Sequence, residues 1–254
     1  MNIGIYQGRL SNSKLLQKFP SNWRGEFLNA RQLGYHHIEL FLEGKINPKN
    51  PFWLEKKTLI KEIKKMKNKK TLICDNYLIF NSLTKSKSIH YILKVIHQAS
   101  KFPKSKLILP LNKDLLKRQE LLINRLILIL SFAKKNNVEI SFECDFDTKK
   151  IIALSKKIKN GFKITFDTGN VFLIEKNIIR SFRELNPIIN HIHLKDRNKL
   201  KKNVILGTGL INFKSFFRLI NVLNYKSDIT LETNRGDDAL LTGFANLNFL
   251  KKIS

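Results

Sequence analysis

The sequence has few cysteines, no long apolar run and no export signal. Its two cysteines, Cys74 and Cys144, are far apart and show neither a CxxC nor a zinc-finger spacing, which argues against a disulfide framework. The most apolar run, residues 121–133, contains Asn124 and Arg125 and is too short to cross a bilayer. No basic segment followed by an apolar one begins the chain. We therefore expect a soluble, cytoplasmic protein without membrane contact.

Acidic residues are also scarce. The chain has 47 Lys and Arg against 20 Asp and Glu, a net charge of +27. Such a charge has three interpretations: a nucleic-acid partner, an anionic small substrate, or biased composition. The lysines are spread over helix-like segments such as residues 55–70 and form no single basic tail. This distribution favours biased composition, and we do not expect a nucleic-acid partner.

Short apolar runs recur along the chain, and each ends in polar residues. Because nearly every position in them is apolar, they predict parallel strands buried on both faces. Successive runs are about one strand-plus-crossover unit apart. The runs are residues 2–9, 36–41, 71–76, 106–111, 138–145, 163–170, 190–196 and 228–235.

Helix-period segments lie between these runs. Residues 22–34 place apolar side chains on one stripe, with Ser21 or Asn22 as a cap at the start and Gly34 at the end. Similar patterns cover residues 88–100, 113–136, 213–224 and 237–251. No linker composition interrupts the alternation, so we predict one α/β domain over residues 1–254, a (β/α)8 TIM barrel. The alternative, a doubly wound open sheet, lacks its glycine fingerprint after the first strand.

Polar side chains cluster where the predicted strands end, which in a barrel is the edge that carries the chemistry. Such residues are costly at a buried face unless they pair or bind a ligand. Because side chains alternate along a strand, those two positions apart share a face. The strand-end residues are Gln7, Arg9, Glu39, Asp75, Asn76, Glu143, Asp145, Asp167, His191, His193, Lys195 and Glu232.

Four of these residues, Glu143, Asp167, His193 and Glu232, come from four consecutive strands. Three carboxylates and one imidazole around a point carry a net negative charge, which a divalent cation would offset. The donor set suits Mn, Mg, Co or Zn, and the sequence does not choose among them. Taken singly, Asp167 could cap the next helix, Glu143 could pair with a lysine, and His193 could be an interior histidine. Their equivalent positions favour one divalent metal ion.

Motifs along almost the whole chain resemble those of the xylose-isomerase-like barrels, the sugar phosphate isomerase/epimerase group. In order they are "QGRLS", "IEL", "FEC", "FDTGN", "HIHLKD", "LGTG" and "LET". The resemblance implies metal ligation by Glu143, Asp167, His193 and Glu232, with the two glutamates also transferring protons. It implies a metal-dependent sugar or sugar-phosphate isomerase or epimerase that acts through a stabilised enediolate. Where the family commonly has "DTGH", this chain has Asn170, which hydrogen-bonds but does not titrate.

The same strand ends supply candidate substrate contacts. Basic side chains there could bind a phosphate or carboxylate, with Arg9 and Lys195 the preferred candidates. The backbone of residues 207–209, "GTG", could approach a phosphate, although a turn explains it equally well. The predicted substrate-binding residues are Arg9, Glu39, Asn170, His191, Lys195 and Arg197.

Three other functions remain open at this point. An abasic-site endonuclease would share the barrel, but it needs a histidine-rich zinc cluster, and the chain has 6 histidines, of which His90 and His97 fall in a predicted outer helix. A non-catalytic sugar-binding barrel is the second alternative, suggested by Asn170. The third is a metal-dependent dehydratase or lyase using the same carboxylates. A homodimer is left open, as is the identity of the sugar.

Overall fold

Eight parallel strands close into a barrel in this computed structural model, which describes residues 1–12, 19–159 and 161–253, with backbone alone at 80, 114 and 115. The eight strands lie around the barrel in their order along the chain, and the first pairs with the last. The single (β/α)8 barrel predicted from the sequence is confirmed. The strands are β1 Asn2–Tyr6, β2 Ile38–Leu42, β3 Thr71–Asp75, β4 Ser105–Asn112, β5 Glu139–Asp145, β6 Ile164–Asp167, β7 Ile189–Leu194 and β10 Asp228–Leu231.

Helices connect the strands and surround the barrel. Over the described ranges they are α1 Trp23–Leu33, α2 Lys56–Lys64, α3 Tyr77–Phe80, α4 Ser86–Ala99, α5 Gln119–Lys135, α6 Thr148–Ile158, α7 Thr168–Glu175, α8 Ile178–Leu185, α9 Phe213–Val222 and α10 Ala239–Ile253. Two 3₁₀ helices cover Lys113–Arg118 and Asn186–Ile188. Within the described segments, no helix combines the length and the apolar character needed to cross a bilayer.

Local sequence explains the ends of α1. Asn22 accepts a hydrogen bond from the Gly25 amide and so caps the start of the helix, as predicted. Gly34 ends it with φ +95°, a conformation that favours glycine, and its amide donates to the carbonyls of Ala30 and Arg31. Between these ends Phe27 packs into the core, so both the bounds and the buried face follow from nearby residues.

Several strands end earlier than the apolar runs predicted. The run 163–170 is a strand only over Ile164–Asp167, and α7 starts directly afterwards. The reason is local, since the Asp167 carboxylate accepts the Asn170 amide and caps that helix. Between β7 and α9 the chain also forms a two-stranded antiparallel ribbon, β8 Asp196–Arg197 and β9 Asn203–Val204, which the sequence patterns did not predict.

Strand register sets which side chains meet inside the barrel. Asp167 on β6 lies beside His193 on β7, and His193 lies beside Thr230 on β10. On the other side, Glu143 of β5 pairs with Thr165 of β6. This register brings the carboxyl ends of β5, β6, β7 and β10 to one level, which is where the polar cluster forms.

Candidate active site

Four side chains from consecutive barrel strands converge at this end. Glu143, Asp167, His193 and Glu232 each offer one donor atom, and these atoms lie within 4.8 Å of one another. Asp167 and His193 are 2% and 0% exposed, so their polar atoms are taken out of bulk water. Three oxygens and one nitrogen at this spacing could hold a divalent cation. The structure therefore brings together the four residues predicted as ligands; that they bind a metal stays a prediction.

The hydrogen bonding of His193 fits ligation. Its Nε2 lies 2.8 Å from Glu39 Oε1, and because a carboxylate only accepts, Nε2 carries the proton. Its Nδ1 faces the carboxylates of Glu232, at 3.1 Å, and Glu143, at 3.5 Å. Within the described part of the chain, Nδ1 makes no hydrogen bond. A buried nitrogen directed at carboxylates in this way suits a metal ligand whose other nitrogen is held by an outer carboxylate.

Burial and neighbouring charges shift the pKa values of the cluster residues. Burial alone would lower the pKa of His193, but the charge of Glu39 and the neighbouring carboxylates raises it well above its ordinary value. Burial likewise opposes ionisation of Glu143 and Glu232, yet Lys195 and His193 hold the pKa of both carboxyls below the usual range. Both glutamates are thus ionised at neutral pH and able to accept a proton. Burial raises the pKa of Asp167 more than Lys195 lowers it.

The ammonium group of Lys195 lies among the same carboxylates. Its Nζ is 2.7 Å from Asp167 Oδ2, 3.0 Å from Glu232 Oε2 and 3.8 Å from Glu143 Oε1. Burial disfavours its charge, but these carboxylates raise the pKa of Lys195 well above its ordinary value. Sequence reasoning placed Lys195 at the mouth as a substrate contact and did not anticipate these ion pairs.

Glu39 supports the cluster from below. Its Oε2 lies 2.8 Å from His191 Nε2 and accepts the hydroxyl of Thr230 at 2.7 Å, while its other oxygen holds His193. Below Thr230, the ring of His37 continues the chain at 3.0 Å. That ring lies against β1 so closely that a Cβ at Gly4 would come within 2.1 Å of it, so only glycine fits there. Inside the barrel, these side chains therefore form a connected polar column beneath the site.

A cavity of about 720 Å³ opens above the four converging side chains. Glu143 and Glu232 form part of its wall, together with Lys195 and Asn170. The remaining wall is mostly aromatic, aliphatic and amide side chains, which gives a surface suited to a polar molecule with apolar faces. It consists of Tyr6, Phe41, Glu43, Lys45, Cys74, Asn76, Leu78, Ile79, Pro110, Leu111, Asn112 and Asp145.

Tyr6 and Phe41 are wall residues that sequence reasoning missed. Tyr6 packs edge-on against the ring of His193, with centroids 6.1 Å apart, and 6.0 Å from Phe41. The Asn76 side-chain amide donates to the Tyr6 hydroxyl at 3.2 Å. The available signal was alternation, which predicts an inward-facing side chain at the end of β1. In the sequence, however, neither residue is distinguishable from an ordinary apolar strand position.

Only two of the six predicted substrate contacts, Asn170 and Lys195, lie on the cavity wall. Glu39 and His191 are fully buried beneath the site. Arg9 donates from Nε to the Thr233 carbonyl at 2.9 Å and lies over the Tyr6 ring. For Glu39, His191, Arg9 and Arg197, contact with a substrate stays a prediction, but the contacts seen are with protein groups.

Asn170 links a cluster residue to the ribbon of β8 and β9. Its side-chain amide donates to Glu143 Oε1 at 2.9 Å, and its carbonyl oxygen accepts from Arg197 Nη2 at 3.1 Å. Arg197 also donates to the Lys201 carbonyl at 3.0 Å. Asn170 therefore orients Glu143, a task that needs hydrogen bonding but no titration.

The "GTG" segment has a structural partner. The amides of Gly207 and Gly209 donate to Asp196 Oδ2 at 3.0 and 2.9 Å, and the Ile211 amide donates to its Oδ1 at 3.2 Å. The fully buried Asp196 carboxylate thus takes the position that a phosphate would need. This arrangement gives no support to phosphate binding by that backbone.

Comparisons with known proteins agree with this architecture. The family described as "Xylose isomerase-like TIM barrel" matches residues 27–253. A search of curated protein sequences found no significant match. Among solved structures, the D-allulose 3-epimerase from Methylomonas sp., in complex with D-allulose, is similar with TM-score 0.79 at 14% identity, covering 100% of this chain and 97% of that one.

Two further solved structures show the same fold. The probable 3-DHS dehydratase AsbF from Bacillus anthracis gives TM-score 0.79 at 19% identity, covering 99% of both chains. The 3-keto-D-glucoside 4-epimerase YcjR from E. coli gives TM-score 0.77 at 14% identity, also covering 99% of both chains. These likenesses extend over the whole barrel.

Proposed function

Because the chain belongs to the xylose isomerase-like TIM barrel family, we propose that it is a divalent-metal-dependent sugar isomerase or epimerase. The observation that carries this proposal is the convergence of Glu143, Asp167, His193 and Glu232 beneath a cavity of about 720 Å³. The reaction is removal of a proton from a carbon next to a carbonyl group and its return to the same or a neighbouring carbon. Sugar epimerases among the structural neighbours agree with this class.

The four converging residues would hold the metal, as Mn, Mg, Co or Zn. When bound, the divalent cation polarises adjacent sugar oxygens and offsets the negative charge that develops on them. Glu39 holds the proton of His193 on Nε2, which leaves Nδ1 as the nitrogen that would bind the cation. Asn170 holds Glu143 through its side-chain amide, so that one carboxylate oxygen is fixed.

Glu143 and Glu232 are the proposed proton-transfer groups. Both line the cavity, and both have a pKa lowered by Lys195 and His193 against the effect of burial, so each is ionised at neutral pH. One carboxylate accepts the proton from the sugar carbon. The other takes up a proton from solvent and delivers it to the carbon from its own side, and the first then releases its proton to solvent. Two acids on different strands suit epimerisation, which needs removal and return on opposite faces.

The cavity favours an uncharged sugar over a sugar phosphate. Among the described residues, its wall carries two basic side chains, Lys45 and Lys195, and the second is paired with carboxylates. The guanidinium of Arg9 donates a hydrogen bond to the Thr233 carbonyl. The amide groups of the glycine segment already donate to the Asp196 carboxylate. Structural neighbours were solved with D-allulose, D-tagatose or D-fructose. Free ketoses are therefore the first substrates to test.

The test combines metal analysis with proton exchange. Purified protein loaded with Mn²⁺ is incubated with D-fructose, D-allulose, D-tagatose and fructose 6-phosphate in D₂O, and C–H exchange and products are followed by NMR. We expect exchange with a free ketose, and its loss in Glu143→Gln with the fold intact. Glu139→Gln, at the exposed opposite end of the same strand, is the matched control. Full turnover after metal removal, or no exchange with any sugar, would contradict the proposal.

A dehydratase is the second candidate, since one similar structure is a probable dehydratase. Its first step, proton removal by a carboxylate, would be the same, and loss of a hydroxyl group would follow. Detection of a dehydrated product in the same NMR experiment distinguishes the two. A histidine-rich zinc nuclease gains no support, because His90 and His97 are exposed on the outer helix α4, whereas His191 and His193 are buried on β7.

A further inference from the structure

The ammonium group of Lys195 lies among the carboxylates of the four converging residues. Its Nζ contacts Asp167 Oδ2 at 2.7 Å and Glu232 Oε2 at 3.0 Å. These same two oxygens face His193 Nδ1, at 3.9 and 3.1 Å. The ammonium and a cation held by the four residues would thus compete for the same oxygens.

The backbone around Lys195 is built to send its side chain there. Lys195 lies two residues after His193, so alternation places both side chains on the inner side of the barrel. The hydroxyl of Thr168 anchors the Lys195 backbone, at 2.8 Å from its carbonyl oxygen and 2.9 Å from its amide nitrogen. A Cβ at Gly169 would come within 2.7 Å of the Lys195 Cβ, so glycine leaves the room that the lysine stem needs.

We infer that Lys195 is an internal counter-ion of the metal site, which balances Asp167 and Glu232 until a divalent cation binds and then withdraws into the cavity. The inference rests on the proposed function, since it assumes that these carboxylates bind metal. Buried carboxylates without a counter-charge are strongly unfavourable, so the ammonium stabilises the cluster in the protein without metal. Withdrawal is feasible because Lys195 already lines the cavity and has a flexible four-carbon stem.

Two consequences follow from competition for shared oxygens. Lys195 weakens metal binding, because its ion pairs must break before the cation binds. It also stabilises the protein without metal. After withdrawal the ammonium remains at the cavity wall, where it can donate to an oxygen of the sugar, the role predicted for it from the sequence. A lysine with a purely structural role would stabilise the protein both with and without metal, and it would not oppose metal binding.

The test compares wild type, Lys195→Met and Lys45→Met after EDTA treatment and buffer exchange. Lys45 lines the same cavity and is exposed, so its replacement controls for the loss of one positive charge near the site. Isothermal titration with MnCl₂ should show Lys195→Met binding one ion per chain at least about tenfold more tightly than wild type, and Lys45→Met within about twofold of it. Without metal, Lys195→Met should unfold at a lower temperature than wild type. Saturating Mn²⁺ should raise the unfolding temperature of Lys195→Met by more than it raises that of wild type.

The outcomes separate this inference from the proposed function. The counter-ion role is supported if Lys195→Met binds Mn²⁺ and wild type does not, or if Lys195→Met binds Mn²⁺ more tightly than wild type. If wild type binds one ion and Lys195→Met binds it equally or more weakly, the counter-ion role is overturned and the metal site stands. If neither protein binds an ion, the metal site and the inference both fail. Should Lys195→Met not fold, Lys195→Gln provides the same comparison with a polar, uncharged side chain.

Discussion

Replacement of Glu39 by Gln tests whether the buried carboxylate orients the metal-binding histidine. Glu39 is fully buried and accepts from His193 and His191, each with Nε2 at 2.8 Å, and from the Thr230 hydroxyl at 2.7 Å. Glutamine keeps the shape but offers one acceptor oxygen in place of two. One imidazole N–H would then face an NH₂ group and lose its partner.

The magnitude follows from these contacts. A hydrogen bond to a charged group contributes about 1.5–3 kcal/mol, and breaking a buried charged pair costs about 3–5 kcal/mol. We therefore expect Glu39→Gln to lower the free energy of unfolding by about 3 kcal/mol at pH 7. Loss of an outer partner of a metal-ligating histidine typically weakens metal affinity by about 10–100-fold, and we expect a loss in that range for Mn²⁺.

Urea denaturation and isothermal titration with MnCl₂ measure the two effects. The matched control is Glu62→Gln, which removes a carboxylate paired at the surface with Arg31 and Lys65 at 2.9 and 2.7 Å. Such pairs are worth less than about 1 kcal/mol, and Glu62 lies on α2, outside the site. A Glu39→Gln protein as stable as the control, with Mn²⁺ affinity equal to wild type, would refute the orienting role.

Two further predictions concern buried carboxylates outside the metal cluster. Burial opposes ionisation of Asp228, but its hydrogen bond from Asn2 and the charge of nearby cations lower its pKa from 3.8 to about 2. This shift corresponds to about 2 kcal/mol of stability, present above pH 4 and lost as the pH falls toward 2. Asp228→Asn should therefore be less stable than wild type by about that amount at pH 7 in urea denaturation, with the difference shrinking below pH 4; a difference that does not change with pH would contradict this origin. Burial raises the pKa of Asp75 from 3.8 to about 7, so stability is lost as the pH rises from about 4 to about 7, and the loss is complete above pH 7. Asp75→Asn should raise the unfolding temperature at pH 8 and leave it nearly unchanged at pH 4, and scanning calorimetry that found equal unfolding temperatures at pH 8 would show this reasoning to be wrong.

The sequence alone determined the barrel and the level at which its site forms. Apolar runs separated by helix-period segments predict buried parallel strands, because both patterns depend on residues close together in the chain. Once the barrel topology is predicted, the carboxyl ends of its parallel strands must lie at one edge. For this reason Glu143, Asp167, His193 and Glu232 could be selected together, although they span 90 positions of the chain. The caps at Asn22 and Gly34 were predictable for the same local reason.

Only the tertiary structure decided which partner each polar side chain takes. Glu39 lies beneath His191 and His193, Lys195 pairs with the carboxylates, and Asp196 fills the glycine segment. Residues 39 and 193 are far apart in the sequence and become neighbours only when the barrel closes. Several acceptors within reach compete for each buried donor, and the choice depends on distances of a few tenths of an ångström that no sequence pattern encodes. Local periodicity therefore determines where the site is, and long-range packing determines how its charges are balanced.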